Sequence, residues 1–179
     1  MQTRTEKGGK NSEGPIGTGL VIERRFTTIG EDPFDQFDWI EMDVEIRNAD
    51  GSLAHRIDDV RLPSGFSGVA GKVLAQKYLR KAGVPAILRK VKEKGVPTWL
   101  QRSEPDHEKL QSLDPEKRFI GESHGRELFR RLAGTWTYWG WKHGYFEAEA
   151  DARAYFDEMC YLIASQRSAP NSPQWFNTG

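Results

Sequence analysis

The sequence has 179 residues, and its 26 Lys and Arg balance 26 Asp and Glu to a formal net charge of zero. This balance argues against direct nucleic-acid binding. The single cysteine, Cys160, excludes an internal disulfide framework and a multi-cysteine zinc site, as is typical of a reducing compartment. No apolar run approaches the roughly 18 to 20 residues of a membrane span, and residues 1–10 lack the apolar core of a signal peptide, so we predict a cytoplasmic protein without membrane contact.

Residues 1–20 are predicted to form a flexible tail, because they carry almost no large apolar side chain that could offset the entropy lost on ordering. In the next region, 21–65, Met42, Val44 and Ile46 alternate with charged residues and so share one face of a strand. Asp50-Gly51 suits a tight turn. The return strand continues the alternation at Leu53, His55 and Ile57. We therefore predict an antiparallel β-hairpin.

A helical region is predicted over 66–168. Its first helix runs from Ser67 to Ala82, with Gly83 as a stop signal. The apolar side chains of that helix recur at helical spacing, at Val69, Val73, Leu74, Ala75, Tyr78 and Leu79. Residues 84–121 contain four prolines between short charged pieces, which predicts a long surface excursion with a helical turn or two.

Two further helices are predicted beyond this excursion. Ser123 is a suitable N-cap for the first helix, whose apolar face comprises Leu128, Phe129, Leu132, Trp136 and Trp139. The second lies between Glu147 and Gln166, and its apolar stripe comprises Ala152, Tyr155, Phe156, Met159, Leu162 and Ile163. Together they predict an antiparallel helical hairpin. The fold class is therefore α+β and mainly helical, with one β-hairpin packed on the helices.

Few residues qualify as a chemical site. The four histidines do not stand at a metal-ligand spacing with one another or with Cys160, so we predict no metal site. Cys160 falls on the inner face of the last long helix, where we expect a buried and unreactive thiol. Tyr138 and Trp141 point away from the predicted core face, and we expect them to need a partner surface or to be exposed. A stacking platform for nucleic-acid bases is the alternative, but it lacks a basic groove.

The segment 169–179 is predicted to be a loop that leaves the last long helix and leads into a new element, because Pro170 and Pro173 disfavour helix before them. Four segments together are similar to the N-terminal part of adenosylcobalamin-dependent, class II ribonucleotide reductases. They are Val-Leu-Ala-Gln-Lys-Tyr (73–78), Lys-Ala-Gly-Val-Pro (81–85), Thr-Trp-Thr-Tyr-Trp-Gly-Trp (135–141) and Asn-Ser-Pro-Gln-Trp-Phe-Asn-Thr-Gly (171–179).

This resemblance implies a function that the residues alone do not. In the family, adenosylcobalamin (vitamin B12) generates a thiyl radical on a cysteine inside an α/β barrel, and the enzyme converts ribonucleotides to deoxyribonucleotides for DNA synthesis. The segment 169–179 would then be the start of that barrel. Ser172 matches the small hydroxyl residue of a substrate-binding loop, and it could equally cap a turn. The resemblance assigns no catalytic, cofactor-binding or metal-binding residue to this chain.

The resemblance also implies partners, namely the remainder of the reductase with its barrel, a ribonucleotide substrate, and a dithiol reductant such as thioredoxin. One cysteine cannot generate a substrate radical and also deliver two reducing equivalents through a disulfide, so we expect the chain alone to be inactive. Two hypotheses stay open. The chain is the N-terminal part of a reductase of the ribonucleoside-diphosphate type, truncated or split from it, or it is a free-standing helical interaction module that docks on a reductase or another protein.

Overall fold

The structure is a computed structural model that describes residues 19–179, so the predicted flexible tail lies almost wholly outside the described residues. Its strands are β1 Trp39–Arg47, β2 Leu53–Pro63, β3 Val84–Pro85, β4 Leu88–Lys90, β5 Ser103–Pro105 and β6 Phe119–Ile120. Its α-helices are α1 Gly68–Lys77, α2 His107–Gln111, α3 Gly125–Lys142, α4 Glu149–Ala164 and α5 Ser172–Asn177. Short 3-10 helices cover Pro33–Gln36 and Pro115–Lys117.

The predicted hairpin is confirmed as the antiparallel pair of β1 and β2. Gly51 occupies the turn with a φ of +85°, a conformation that glycine adopts without a steric penalty. A bulge interrupts the pairing, because Met42 pairs with Val60 whereas Val44 pairs with Ile57. Beyond this bulge the inner side of β2 carries Val60 and Leu62, which are fully buried. The apolar face of β1 thus packs against the core as the alternation predicted, but on the return strand Leu53 is 52% exposed and His55 is exposed, so the predicted apolar face does not extend to the turn.

Helix α1 is shorter than predicted, and part of its predicted apolar face is wrong. Ser67 caps it by accepting a hydrogen bond from the amide of Ala70 at 3.1 Å. The helix meets the hairpin along a narrow strip of Gly71, Leu74 and Ala75. Val69 and Val73 lie outside this strip and are exposed, 76% for Val69. Helical spacing predicts which side chains of α1 share a face, but the neighbouring β-hairpin determines how many of them are buried.

The region 84–121 contains more regular structure than the predicted surface excursion. Strand β3 pairs with β6, and β4 pairs with β5, in two short antiparallel sheets. The predicted helical turns are present as α2 and Pro115–Lys117. Val96, Leu100 and Leu110 are buried beneath these elements. Pairs of two or three residues are too short to produce an alternation signal, so the pattern could not reveal them.

The predicted helical hairpin is confirmed by the packing of α3 against α4. Its start shifts by one residue, because His124 is the N-cap, accepting a hydrogen bond from the amide of Arg126 at 3.1 Å through Nδ1. The core between the two helices and the β-hairpin is fully or almost fully buried, and it includes Val44, Leu62, Leu128, Phe129, Leu132, Cys160 and Ile163. The thiol of Cys160 is fully buried there, and this burial raises its pKa.

The predicted orientation of the aromatic side chains on α3 is wrong for Trp139, whereas Phe129 is buried and Trp136 packs against the core as predicted. Trp139 was expected in the core but is 51% exposed, because the buried stripe continues through Ala133, Thr137 and Gly140. Tyr138 and Trp141 find partners within the chain rather than on another surface. Tyr138 donates a hydrogen bond to Oε2 of Glu93 at 2.7 Å, which raises the pKa of the phenol. Trp141 Nε1 donates to the carbonyl of Gly95 at 2.6 Å.

The described residues thus form a mixed α+β fold, in which a β-hairpin packs on a helical hairpin and the region 84–121 adds two small two-stranded sheets. The predicted α+β class is confirmed, and the additional sheets reduce the predicted dominance of helix. None of the helices in residues 19–179 has the length and apolarity required to cross a membrane.

Candidate functional site

The segment that contains Ser172 is a short helix rather than the predicted loop. Asn171 caps α5, since its side chain accepts a hydrogen bond from the amide of Ser172 at 2.8 Å and its carbonyl accepts one from Gln174 at 2.9 Å. Pro173 lies in the first turn, where the missing amide hydrogen has no partner to lose. The predicted loop is wrong here because a proline in the first turn favours a helix start.

Ser172 lies on the surface next to the end of α1. Its Oγ is 3.2 Å from the phenol oxygen of Tyr78, although 94 residues separate the two in the sequence. The Tyr78 ring stacks on Trp175 at a centroid distance of 5.2 Å and on Phe176 at 6.4 Å. Trp175 is buried and donates its indole hydrogen to the carbonyl of Pro170 at 3.0 Å. We call Tyr78, Ser172, Trp175 and Phe176 the Ser172 site.

A buried ion pair anchors α5 to the rest of the fold. The Arg131 guanidinium bonds both carboxylate oxygens of Glu122, at 2.8 and 3.0 Å. The same guanidinium donates to the carbonyls of Trp175 at 3.2 Å and Thr178 at 2.6 Å. The side chains of Arg131 and Glu122 are only 9% and 5% exposed. One planar fork of donors therefore connects α3 and the segment before it to the C-terminal helix.

The end of α1 joins this network. The backbone amide of Arg80 donates to Oε2 of Glu122 at 2.9 Å, and Arg131 donates to the carbonyl of Tyr78 at 3.4 Å. Partial burial, followed by the charge of Arg131, lowers the pKa of Arg80. The position of Tyr78 is thus fixed by its own backbone as well as by ring stacking.

These groups define what the Ser172 site can do chemically. Ser172 and Phe176 are exposed, 49% for Phe176, so a ligand can reach both. A serine hydroxyl donates to and accepts from phosphate or ribose oxygens, and an exposed aromatic ring offers an apolar face. The site is suited to an oxygen-rich ligand.

Sequence reasoning found Ser172 but missed Tyr78, Glu122 and Arg131. Tyr78 had been interpreted as part of an apolar helix face. Arg131 and Glu122 are nine positions apart and lie on different elements, so no periodic pattern connects them. The nearest signal was that Tyr78 is the last residue of segment 73–78, which carries part of the family resemblance.

A second polar network was also missed, and it holds the N-terminal strap, which we define as residues 19–27. Glu158 on α4 accepts hydrogen bonds from the amides of Arg25 and Phe26 at 3.1 Å, and from the amide and hydroxyl of Thr27 at 2.9 and 2.7 Å. Burial alone would raise the pKa of Glu158, but these hydrogen bonds outweigh it and lower the pKa. Arg24 pairs with the buried Asp157 at 2.8 Å.

The other candidate residues do not converge on a site. Across residues 19–179, no three His, Cys, Asp or Glu side chains stand close enough together to hold a metal ion. His124 serves as a helix cap, and burial followed by the neighbouring Arg126, Arg61 and Arg130 lowers its pKa.

The sequence of the chain places it in a family of reductases. Residues 41–166 match the family model described as class II vitamin B12-dependent ribonucleotide reductase. The match covers more than half of the chain, and the chain therefore belongs to this family, as a part of its N-terminal region.

Curated relatives agree with the match. The chain is 53% identical over 160 residues to the vitamin B12-dependent ribonucleotide reductase of Bradyrhizobium diazoefficiens, an alignment that covers 89% of this chain and 13% of that protein. It is 52% identical to the same enzyme of Agrobacterium fabrum, again over 89% of the chain and 13% of the relative. The enzyme of Streptomyces avermitilis is 30% identical over 96% of the chain and 14% of its own length. The chain thus spans about 13% of the length of these first two relatives.

Proposed function

We propose that this chain is the N-terminal part of an adenosylcobalamin-dependent ribonucleotide reductase, which converts ribonucleotides to deoxyribonucleotides for DNA synthesis by thiyl-radical chemistry. The observation that carries the proposal is the identity of 53% to the Bradyrhizobium diazoefficiens enzyme over 89% of the chain. A level this high over nearly the whole chain supports a shared role in the parent enzyme as well as a shared fold.

Within that role, Ser172 contacts the substrate. Its hydroxyl is exposed, and the helix that carries it is anchored by the Arg131–Glu122 ion pair. A hydroxyl held on a fixed backbone meets a ribose or phosphate oxygen with little loss of conformational entropy. This chain therefore supplies one wall of the substrate site, and the remainder of the reductase supplies the opposite wall.

The redox chemistry belongs to the remainder. Reduction of a ribonucleotide takes two electrons, which a dithiol gives up when it becomes a disulfide. Cys160 is the single cysteine of this chain, and it is fully buried with a raised pKa. We therefore assign the radical cysteine, the reducing cysteine pair and adenosylcobalamin to the remainder, with a dithiol such as thioredoxin as the external reductant.

A chimeric reductase tests the substrate contact. In this chimera, the present chain replaces the matching N-terminal region of the Bradyrhizobium diazoefficiens enzyme. We expect the chimera to reduce ribonucleotides, and we expect Ser172→Ala to raise KM roughly three- to ten-fold, the effect of one lost hydrogen bond. Ser168→Ala removes a nearby exposed hydroxyl and should leave KM unchanged. An inactive chimera, or equal KM values for Ser172→Ala and the parent, would contradict the proposal.

A free-standing interaction module is the second candidate, and one observation favours it. Trp139 and Tyr145 are 51% and 59% exposed, and they line an aromatic pocket of about 680 Å³ with His143 and Phe146. Exposed aromatic clusters are typical of protein interfaces. The same surface would serve an interface with the remainder of the reductase. Activity of the chimera would favour the reductase hypothesis, because an independent interaction module would not replace the N-terminal region of an active reductase.

A further inference from the structure

The packing of Tyr78 does not require its phenol hydroxyl, which forms the hydrogen bond with Ser172. The stacking on Trp175 and Phe176 is made by the Tyr78 ring, and phenylalanine would provide the same stacking. The phenol oxygen contributes only the 3.2 Å contact to Ser172 Oγ, on an exposed part of the surface. Exposed hydrogen bonds between side chains stabilise a fold weakly, because water competes for both groups.

The direction of this bond decides what Ser172 can offer a ligand. A hydroxyl has one hydrogen to donate, and phosphate oxygens only accept. If Ser172 donated to Tyr78, its hydrogen would be used within the protein. If Tyr78 donates to Ser172, the serine hydrogen stays free, and the chain of bonds runs from the phenol through the serine to the ligand oxygen. Such chains polarise each donor and strengthen the last bond.

We propose that Tyr78 is a positioning residue for substrate binding, which donates its phenol hydrogen to Ser172 and leaves the serine hydrogen directed at an acceptor oxygen of the ribonucleotide. This inference rests on the proposed function, because it assumes that Ser172 contacts the substrate. The phenol is well placed for this task. The Tyr78 ring is stacked on Trp175 of α5, and the Tyr78 carbonyl accepts a hydrogen bond from Arg131 at 3.4 Å. These two contacts hold the phenol oxygen in place next to Ser172.

The test is a double-mutant cycle in the chimeric reductase, with Tyr78→Phe, Ser172→Ala and the double variant. Tyr78→Phe keeps the stacked ring, so its melting temperature should match that of the parent. We expect it to raise KM for the ribonucleotide roughly three- to ten-fold with kcat little changed, because the lost orientation affects binding. The double variant should have the KM of Ser172→Ala, since Tyr78 acts only through Ser172. Tyr161→Phe on α4, which likewise keeps a stacked ring, here on Phe26, is the matched control.

The outcomes separate this inference from the proposal on which it rests. If Ser172→Ala raises KM and Tyr78→Phe does not, the positioning role is overturned while the Ser172 contact stands. Additive effects of the two changes would also overturn it, because they would show that Tyr78 acts independently of the serine. If Ser172→Ala itself leaves KM unchanged, the substrate contact fails and the role of Tyr78 fails with it.

Discussion

Replacing Arg131 by Met should destabilise the fold far more than replacing any surface arginine. Methionine keeps an apolar stem of similar length but removes the guanidinium, together with its bonds to Glu122, Trp175 and Thr178. Glu122 would then be a buried carboxylate, 5% exposed, whose charge has lost its partner. Breaking a buried pair from one side costs about 3–5 kcal/mol. This is a large share of the roughly 5–15 kcal/mol that stabilises a typical domain.

Urea unfolding of the chain, followed by circular dichroism, measures this loss in the free energy of unfolding. Arg89→Met is the matched control, because Arg89 is 59% exposed and pairs with an exposed Glu104. Such surface pairs contribute less than about 1 kcal/mol. The double variant Glu122→Gln/Arg131→Met should recover part of the loss, since a buried amide is less costly than a buried charge. Equal losses for Arg131→Met and Arg89→Met would refute the view that this pair anchors the C-terminal helix.

Three further predictions concern the core and the N-terminal strap. The lowered pKa of Glu158 means that its stabilisation of the strap is present above its ordinary value of 4.5 and is lost as the pH falls through the folded-state pKa. Glu158→Gln should therefore lower the free energy of unfolding at pH 7 more than at pH 3, and a difference independent of pH would contradict this. Gly134→Ala should raise the melting temperature, because the added methyl meets nothing closer than 3.7 Å and the helix gains up to about 1 kcal/mol. Gly140→Ala should lower it, because the methyl would come within 2.7 Å of the buried Phe146 ring; shifts of the same sign would refute the packing argument. Cys160, buried with a raised pKa, should react with a thiol reagent only as fast as the chain unfolds, and rapid labelling of the folded chain would show that the core is open.

The elements that the sequence revealed are those whose buried face repeats along the chain. Met42, Val44 and Ile46 alternate, and the hairpin follows from that alternation. Leu128 and Leu132 recur at helical spacing, and this spacing predicts α3. In both cases the signal is local, because the period of the side chains is set by the backbone of the element itself.

The errors on these same elements arise from their neighbours. Trp139 fits a helical stripe with Leu132, yet the buried face of α3 runs through Gly140 instead, against Phe146. Val69 fits the stripe of α1, but the hairpin covers only a narrow strip of that helix. A period gives the direction of a side chain, whereas the packed partner decides whether it is covered.

The residues of the candidate site were harder to predict from the sequence than the helices and strands. Ser172 was found through its segment's resemblance to a family, and no property of the residue alone distinguished it. Tyr78 and Arg131 reach it from distant parts of the chain through hydrogen bonds, and polar contacts of this kind have no sequence period. The hydrogen bonds of Glu158 to the N-terminal strap could not be predicted for the same reason.

Mixing this chain with a polypeptide that contains the remainder of the Bradyrhizobium diazoefficiens reductase tests the central claim most directly. The assay is ribonucleotide reduction in the presence of adenosylcobalamin and a dithiol. We predict no activity from either polypeptide alone and deoxyribonucleotide formation from the mixture, because each would supply one wall of the substrate site. Equal activity of the remainder with and without this chain would contradict the claim that the chain forms part of the reductase site.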